Sequence, residues 1–173
     1  MAMKNKNQKG FALLVAVIFM SVMLTLGLAL ASLGYKQELL ASTAIESQYA
    51  FYAADAGLEC ALYADQQLDL FDYASHSVAT PPNTITCDGV SATQLPGSYS
   101  YTTGTNGTLS VSERLSLDSN THCAIVTIYK YSTPQSPTNF VTYLFSQGFD
   151  VPCTTVANPG GTRFVSRGIS AHY

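Results

Sequence analysis

Lys9-Gly10-Phe11 is the first place where residue types and spacing point to chemistry. A basic residue, a glycine and a phenylalanine stand directly before a stretch that carries no charge. Proteolysis after Gly10 would remove Lys4, Lys6 and Lys9 and leave the whole apolar stretch on the mature chain. Glycine suits such a junction because it lets an extended backbone enter a tight peptidase site. A conventional secretory signal would instead be cut after Ala29-Leu30-Ala31. The apolar stretch is longer than such signals, and it continues into a helical pattern.

Four cysteines form the second chemical set. Cys60, Cys87, Cys123 and Cys153 are widely spaced, with no CxxC pair for zinc or redox work. In an exported chain they read as two disulfides, four buried thiols being the alternative. Connectivity is open, and the sequence-neighbour pairs Cys60–Cys87 and Cys123–Cys153 are the simplest. Each would close a loop of about 30 residues, worth about 3 kcal/mol in the chain-entropy model.

Enzyme chemistry finds no foothold. His76, His122 and His172 are too scattered to suggest a metal site. There is no G-x-S-x-G nucleophile elbow and no GxxxxGK[ST] phosphate loop. Asp65, Asp69 and Asp72 lie on one helix face without a calcium-loop pattern, and read as a solvated helix end. Asn106-Gly107-Thr108 fits a glycosylation sequon, but Asn-Gly is first a hairpin signal. Alternating tyrosines at Tyr99–Tyr101 and Tyr129–Tyr143 read as sheet packing rather than an adhesive patch. The expectation is therefore no catalytic residue, no cofactor and no metal.

The elements that position these residues follow from composition. Only 11% of the 173 residues are charged, against about 25% in an average soluble protein. Residues 1–10 are a basic leader. Phe11–Leu33 is a 23-residue run with no charge; as a helix it spans roughly 34 Å, enough for a hydrocarbon core of about 30 Å. The leader lysines place the N-terminus in the cytoplasm and the rest outside. From Phe11 onward five bases face eleven acids, with no clustered basic patch, which argues against nucleic-acid binding.

Residues 34–72 read as a continuation of the helix, proline-free and rich in Ala, Leu, Glu and Gln. Ile45, Tyr49, Tyr52, Ala56, Cys60 and Tyr63 form its apolar stripe, widened by Phe51, Leu58 and Leu62. Gly27, Gly34 and Gly57 are places where the helix could bend. Residues 73–173 change character: all seven prolines lie here, and Ser plus Thr make up 30 of 101 residues. Strand-like runs at Tyr99–Thr103, Thr108–Ser112, Cys123–Tyr131, Asn139–Ser146 and Arg163–Tyr173 predict an antiparallel meander, with Pro134 and Pro137 in one link. The fold class expected is α+β: a long N-terminal helix packed on a C-terminal antiparallel sheet.

The junction Gln8-Lys9-Gly10-Phe11-Ala12-Leu13-Leu14 resembles that of type IV pilins and pseudopilins, whose class III leaders are cut by prepilin peptidase. Ala50-Phe51-Tyr52-Ala53-Ala54-Asp55-Ala56-Gly57-Leu58 is similar to a stretch of PilX-like minor pilins, with Asp55 where their glutamate usually stands. The resemblance covers residues 8–65 and implies cleavage after Gly10, N-methylation of Phe11 and an assembly role for the helix. Most major pilins of the family carry a glutamate four residues after the mature start; here that position is Val15. Either a carboxylate or an ammonium alone in hydrocarbon is costly, so Val15 leaves the Phe11 amine without that partner. This departure points to a minor subunit.

The resemblance implies other pilin subunits, prepilin peptidase, an inner-membrane assembly platform and, before assembly, membrane lipid as partners. Gly27, Gly34 and neighbouring alanines would admit close helix contacts. The implied location is a single-pass membrane protein with its C-terminal domain outside, then an extracellular filament. The alternative is a membrane-anchored or secreted β-domain that binds a surface ligand without joining a filament; an exported hydrolase is a weaker third reading.

Overall fold

An alanine- and leucine-rich chain without proline keeps α1 unbroken from Gln8 to Gln66. The computed structural model describes residues 8–104, 106–133 and 136–173. Lys4, Lys6 and Pro134 lie outside the described residues. The chain divides into two compact units, with the boundary between Thr43 and Ala44.

In the first unit every apolar side chain from Phe11 to Leu40 is exposed, and no charge interrupts them before Lys36. The hydroxyls within Phe11–Leu33 are satisfied internally. Ser21, Thr25 and Ser32 donate to the carbonyls of Ile18, Val22 and Ala29 at 2.8, 2.9 and 2.9 Å. Such back-bonding gives each side-chain hydroxyl between Phe11 and Leu33 a partner, as a bilayer interior requires. The helix is long and apolar enough to cross a membrane.

The second unit is an α+β fold. The rest of α1, from Ala44, packs on an antiparallel sheet whose centre is a meander of β5 (Thr108–Leu117), β6 (His122–Thr133), β7 (Ser136–Phe149) and β8 (Ser166–His172). The short strands β3 (Thr93–Gln94) and β4 (Ser100–Thr102) both pair with β5, and β1 (Thr86–Cys87) and β2 (Val90–Ser91) form a separate ribbon. The hairpin expected around Asn106-Gly107 is present, with Thr102 opposite Thr108 across a turn longer than two residues. Gly107 is buried under Tyr73, and a Cβ there would strike that ring. A five-residue helix, α2 (Cys153–Ala157), follows β7.

The helix face that meets the sheet overlaps the expected stripe only in part, at Leu58 with Ala56, Cys60 and Leu62 beside it. Ala50, Ala53, Ala54, Leu58, Ala61 and Ala64 are buried, whereas Ile45, Tyr49, Tyr52 and Tyr63 are exposed. Gly57 lies so close to β6 and β7 that a Cβ would come within 2.8 Å of Ala124 Cβ and 2.7 Å of Ser146 Oγ. From the other side, a Cβ on Gly148 would run into the Ala50 carbonyl and the Ala54 amide. Small residues on both surfaces let backbone approach backbone, and the aromatic rings are left on the outer side of the helix.

The helix also ends earlier than residue 72. Leu70 N–H bonds the Ala64 carbonyl at 3.0 Å, with Asp69 at a φ of 48°. Phe71 is then fully buried and Leu70 packs on the core, so burial pulls the chain off the helix axis. The remaining core follows strand alternation: Leu109, Val111, Leu115 and Leu117 from β5, Ala124, Val126 and Ile128 from β6, and Leu144 from β7. Disulfides join Cys60 to Cys87 and Cys123 to Cys153, with Cα separations of 6.0 and 4.7 Å. The first fastens α1 to β1, and the second ties α2 to the start of β6.

The close approach makes a clear prediction. Gly148→Ala forces backbone apart and should destabilise the second unit by about 1–3 kcal/mol. Gly34→Ala, where an added Cβ meets nothing within 4 Å, should leave its melting unchanged. Chemical denaturation of both variants, full-length in micelles, checks the contrast.

Candidate functional site

Three regions of the structure hold residues whose placement could serve a function. The first is the N-terminal junction. Lys9, Gly10 and Phe11 already belong to α1, which begins at Gln8. Gly10 is thus helical in the free chain, because the helix-forming run that follows propagates back through it, and entry into a peptidase site as an extended segment requires unwinding there. Gly10 costs this turn about 1 kcal/mol relative to alanine, so unwinding starts most cheaply there. Phe11 is 74% exposed and, with Ala12, Val15, Ala16, Phe19 and Met20, forms a continuous apolar surface. Added Cβ atoms at Gly27 and Gly34 would meet nothing within 4 Å, so both are open to another helix.

Ala54 and Gly57, within the stretch to which the resemblance gives an assembly role, turn toward the chain's own sheet, and between them Asp55 is exposed. What α1 presents outward in the second unit is Ile45, Phe51, Tyr52 and Tyr63, interspersed with Asp55 and Glu59. This is an apolar and acidic surface without a core partner.

The second region is a cleft of about 410 Å³ between Tyr49, Tyr52, Ala53 and Ala56 of α1 and the loops carrying Asp88 and Asp118. Tyr49 stacks on His122, ring centroids 5.2 Å apart. Asp118 N–H donates to Asp88 Oδ2 at 3.2 Å, which ties the two loops together. Asp118, Ser119 and Asn120 all have positive φ, making the β5–β6 turn. His122 Nδ1 lies 2.9 Å from Thr121 Oγ1 and 3.5 Å from Asp118 Oδ2. Both partners share one ring nitrogen, so this is no hydroxyl–His–carboxylate relay, which needs one partner on each nitrogen. His76 bonds the Leu70 carbonyl at 2.8 Å and His172 stacks on Tyr143, so the three histidines stay apart. Among the described residues no group of His, Cys, Asp and Glu could hold a metal ion.

The third region centres on a buried carboxylate. Asp65 is not part of a solvated helix end. It pairs with Lys130 Nζ at 2.6 Å and accepts from Tyr173 Oη at 2.5 Å. Both charges are taken out of water together, as a buried charge requires. The contact joins the last turn of α1 to β6 and to the end of the sheet, while Asp69 and Asp72 remain exposed. Nearby, Tyr73 stacks between Tyr101 and Phe140 and donates to the Thr102 carbonyl at 2.5 Å. Burial, then its contact with Tyr101, pushes Tyr73 up to about 12, which keeps it a donor.

Glu113 was missed altogether, although alternation signals it. Leu109, Val111, Leu115 and Leu117 share its side of β5, so the carboxyl occupies a core position. It is fully buried and accepts the Ile85 N–H at 2.8 Å. Lys130 sits at the same kind of position on β6, between Leu109 and Thr142 on the neighbouring strands.

No protein-family model, curated protein or solved structure matches the chain.

Burial raises Glu113 above the usual carboxylate range, and the Ile85 N–H only partly opposes this. The folded state then holds the proton more tightly than the unfolded chain. Its contribution to stability is complete below the unfolded value of about 4.3 and drains away as pH rises through the raised folded value. Glu113→Gln keeps an acceptor for Ile85 and cannot ionise. Thermal melts from about pH 4 to 8 should show this slope in the parent and not in the variant, which is the more stable at the upper end.

Proposed function

We propose that the chain is a minor pilin or pseudopilin, a structural subunit processed after Gly10 and assembled into a type IV or related secretion filament. One observation carries the reading. The Lys9-Gly10-Phe11 junction leads without a break into a helix whose first part is charge-free and exposed, and whose second part is seated on a disulfide-bonded antiparallel sheet. A helix of this kind serves two environments. Before assembly its apolar part lies in lipid, with the β-domain outside. In a filament the same surface packs against other subunits, exchanging lipid contacts for protein contacts.

Several residues acquire roles in this reading. Prepilin peptidase removes the leader lysines, and Phe11 becomes the methylated N-terminus. The assembly platform then moves the subunit out of the membrane. Val15 offers no carboxylate to a neighbouring amine, which suits a low-abundance subunit rather than the main building block. Gly27 and Gly34 admit neighbouring helices closely, and the outward row of Ile45, Tyr52 and Tyr63 supplies further contact surface.

Mass spectrometry of the mature N-terminus tests the proposal. In cells with prepilin peptidase the chain should begin at methylated Phe11, and Gly10→Val should retain the leader. A start at Ser32, or at Met1 regardless of the peptidase, would contradict it and favour an anchored or secreted β-domain.

A further inference from the structure

The two edges of the large sheet are built differently. Along one, β5 is covered by strands of two and three residues, β3 and β4. Very short edge strands are a common way to blunt an edge. At the other, among the described residues, β8 pairs with β7 alone, for seven residues, with no proline and no register shift.

The register tells which groups β8 leaves unpaired. Thr142 and Tyr173 exchange both backbone hydrogen bonds, at 2.9 and 3.1 Å. Bonded and non-bonded pairs alternate along an antiparallel ladder, so Ala171, Ile169 and Arg167 bond to β7. The N–H and C=O of Ser166, Gly168, Ser170 and His172 therefore point away from the sheet. The strand's one charge does not guard this edge, because Arg167 Nε donates to Ser47 Oγ of α1 at 2.7 Å.

Beside the open backbone is an exposed aromatic patch on the sheet face opposite α1. Gly168 leaves room there, and the tip of the Phe145 ring lies against it, 3.0 Å from where a Cβ would be. Phe145 is 46% exposed. Farther along the same face, Tyr143 stacks on His172 with centroids 5.4 Å apart. The edge thus offers a row of alternating donors and acceptors with an apolar contact at every other position.

We propose that β8 is a strand-addition site, at which an extended segment of another protein pairs with the Ser166–His172 edge. Only an extended peptide backbone presents the complementary row of donors and acceptors. Apolar side chains at alternate positions of that segment cover Phe145 beside Gly168 and pack against the Tyr143–His172 stack. A second copy's β8 fits less well, because its residues on that face are Ser166, Gly168, Ser170 and His172, with no apolar group to cover the patch.

The test uses the full chain in detergent micelles, followed by amide exchange, with a short synthetic peptide of alternating valine and threonine as probe. The peptide should slow exchange of the Gly168, Ser170 and His172 amides by about tenfold or more, as saturation of a weak site would. Ser170→Pro removes one outward N–H without touching a bond to β7, since proline is tolerated at such edge positions. It should weaken peptide binding about tenfold while the Ile169 and Ala171 amides stay protected. Phe145→Ala, which leaves the backbone untouched, should abolish the preference for valine over a peptide of alternating lysine and threonine. The proposal is overturned if the peptide leaves the outward amides unchanged or if Ser170→Pro binds it equally. It is overturned too if self-association already protects those amides in the free protein.

Discussion

The second unit depends on how closely α1 approaches the sheet. Gly57 on the helix and Gly148 on β7 each sit where one added carbon would strike the opposing surface. Alanines at 50, 53, 54, 61 and 64 complete the helix side, and Ala124 on β6 meets it. Burying such small side chains yields little transfer free energy each, on the order of 0.8 kcal/mol per CH₂. The gain comes from contact density, because the two backbones close the gap that larger side chains would hold open.

That approach dictates where everything else goes. Rings that cannot fit at the interface stand on the outer side of the helix, where they form the exposed row carrying Tyr52 and Tyr63. Tyr49 leans the other way onto His122 and makes one wall of the cleft. At the two ends of the interface polar contacts hold the helix along β8: Arg167 with Ser47, and Tyr173 with Asp65, which Lys130 also engages. The Cys60–Cys87 bridge adds a covalent tie between them.

Much of this was legible in the sequence, and the failures have physical causes. Proline and glycine placement located the change from helix to sheet, and the long strands fell close to the alternating runs. Apolar periodicity caught part of the buried face, Leu58 with Ala56, Cys60 and Leu62 beside it, but also took in Ile45, Tyr49, Tyr52 and Tyr63, which are exposed, because it weights large residues and this interface selects small ones. The helix end was set too late, since Asp69 and Asp72 suit a helix in composition while Phe71 is claimed by the core. Lys130 and Asp65 are 65 positions apart, and only the folded sheet brings them together. The short strands β1 to β3 carry too few residues for any pattern to register. Glu113 could have been found, as the one acid in an otherwise apolar alternation.

Native-state hydrogen exchange on the full chain in micelles tests most directly whether helix and sheet form one seated unit. The account predicts that amides of Ala53, Ala54 and Gly57 open with the same free energy as those of Val126 and Leu144, and fall together as denaturant is added. Helix amides from Ala50 to Ala64 that open at much lower free energy, while β6 and β7 stay protected, would contradict it.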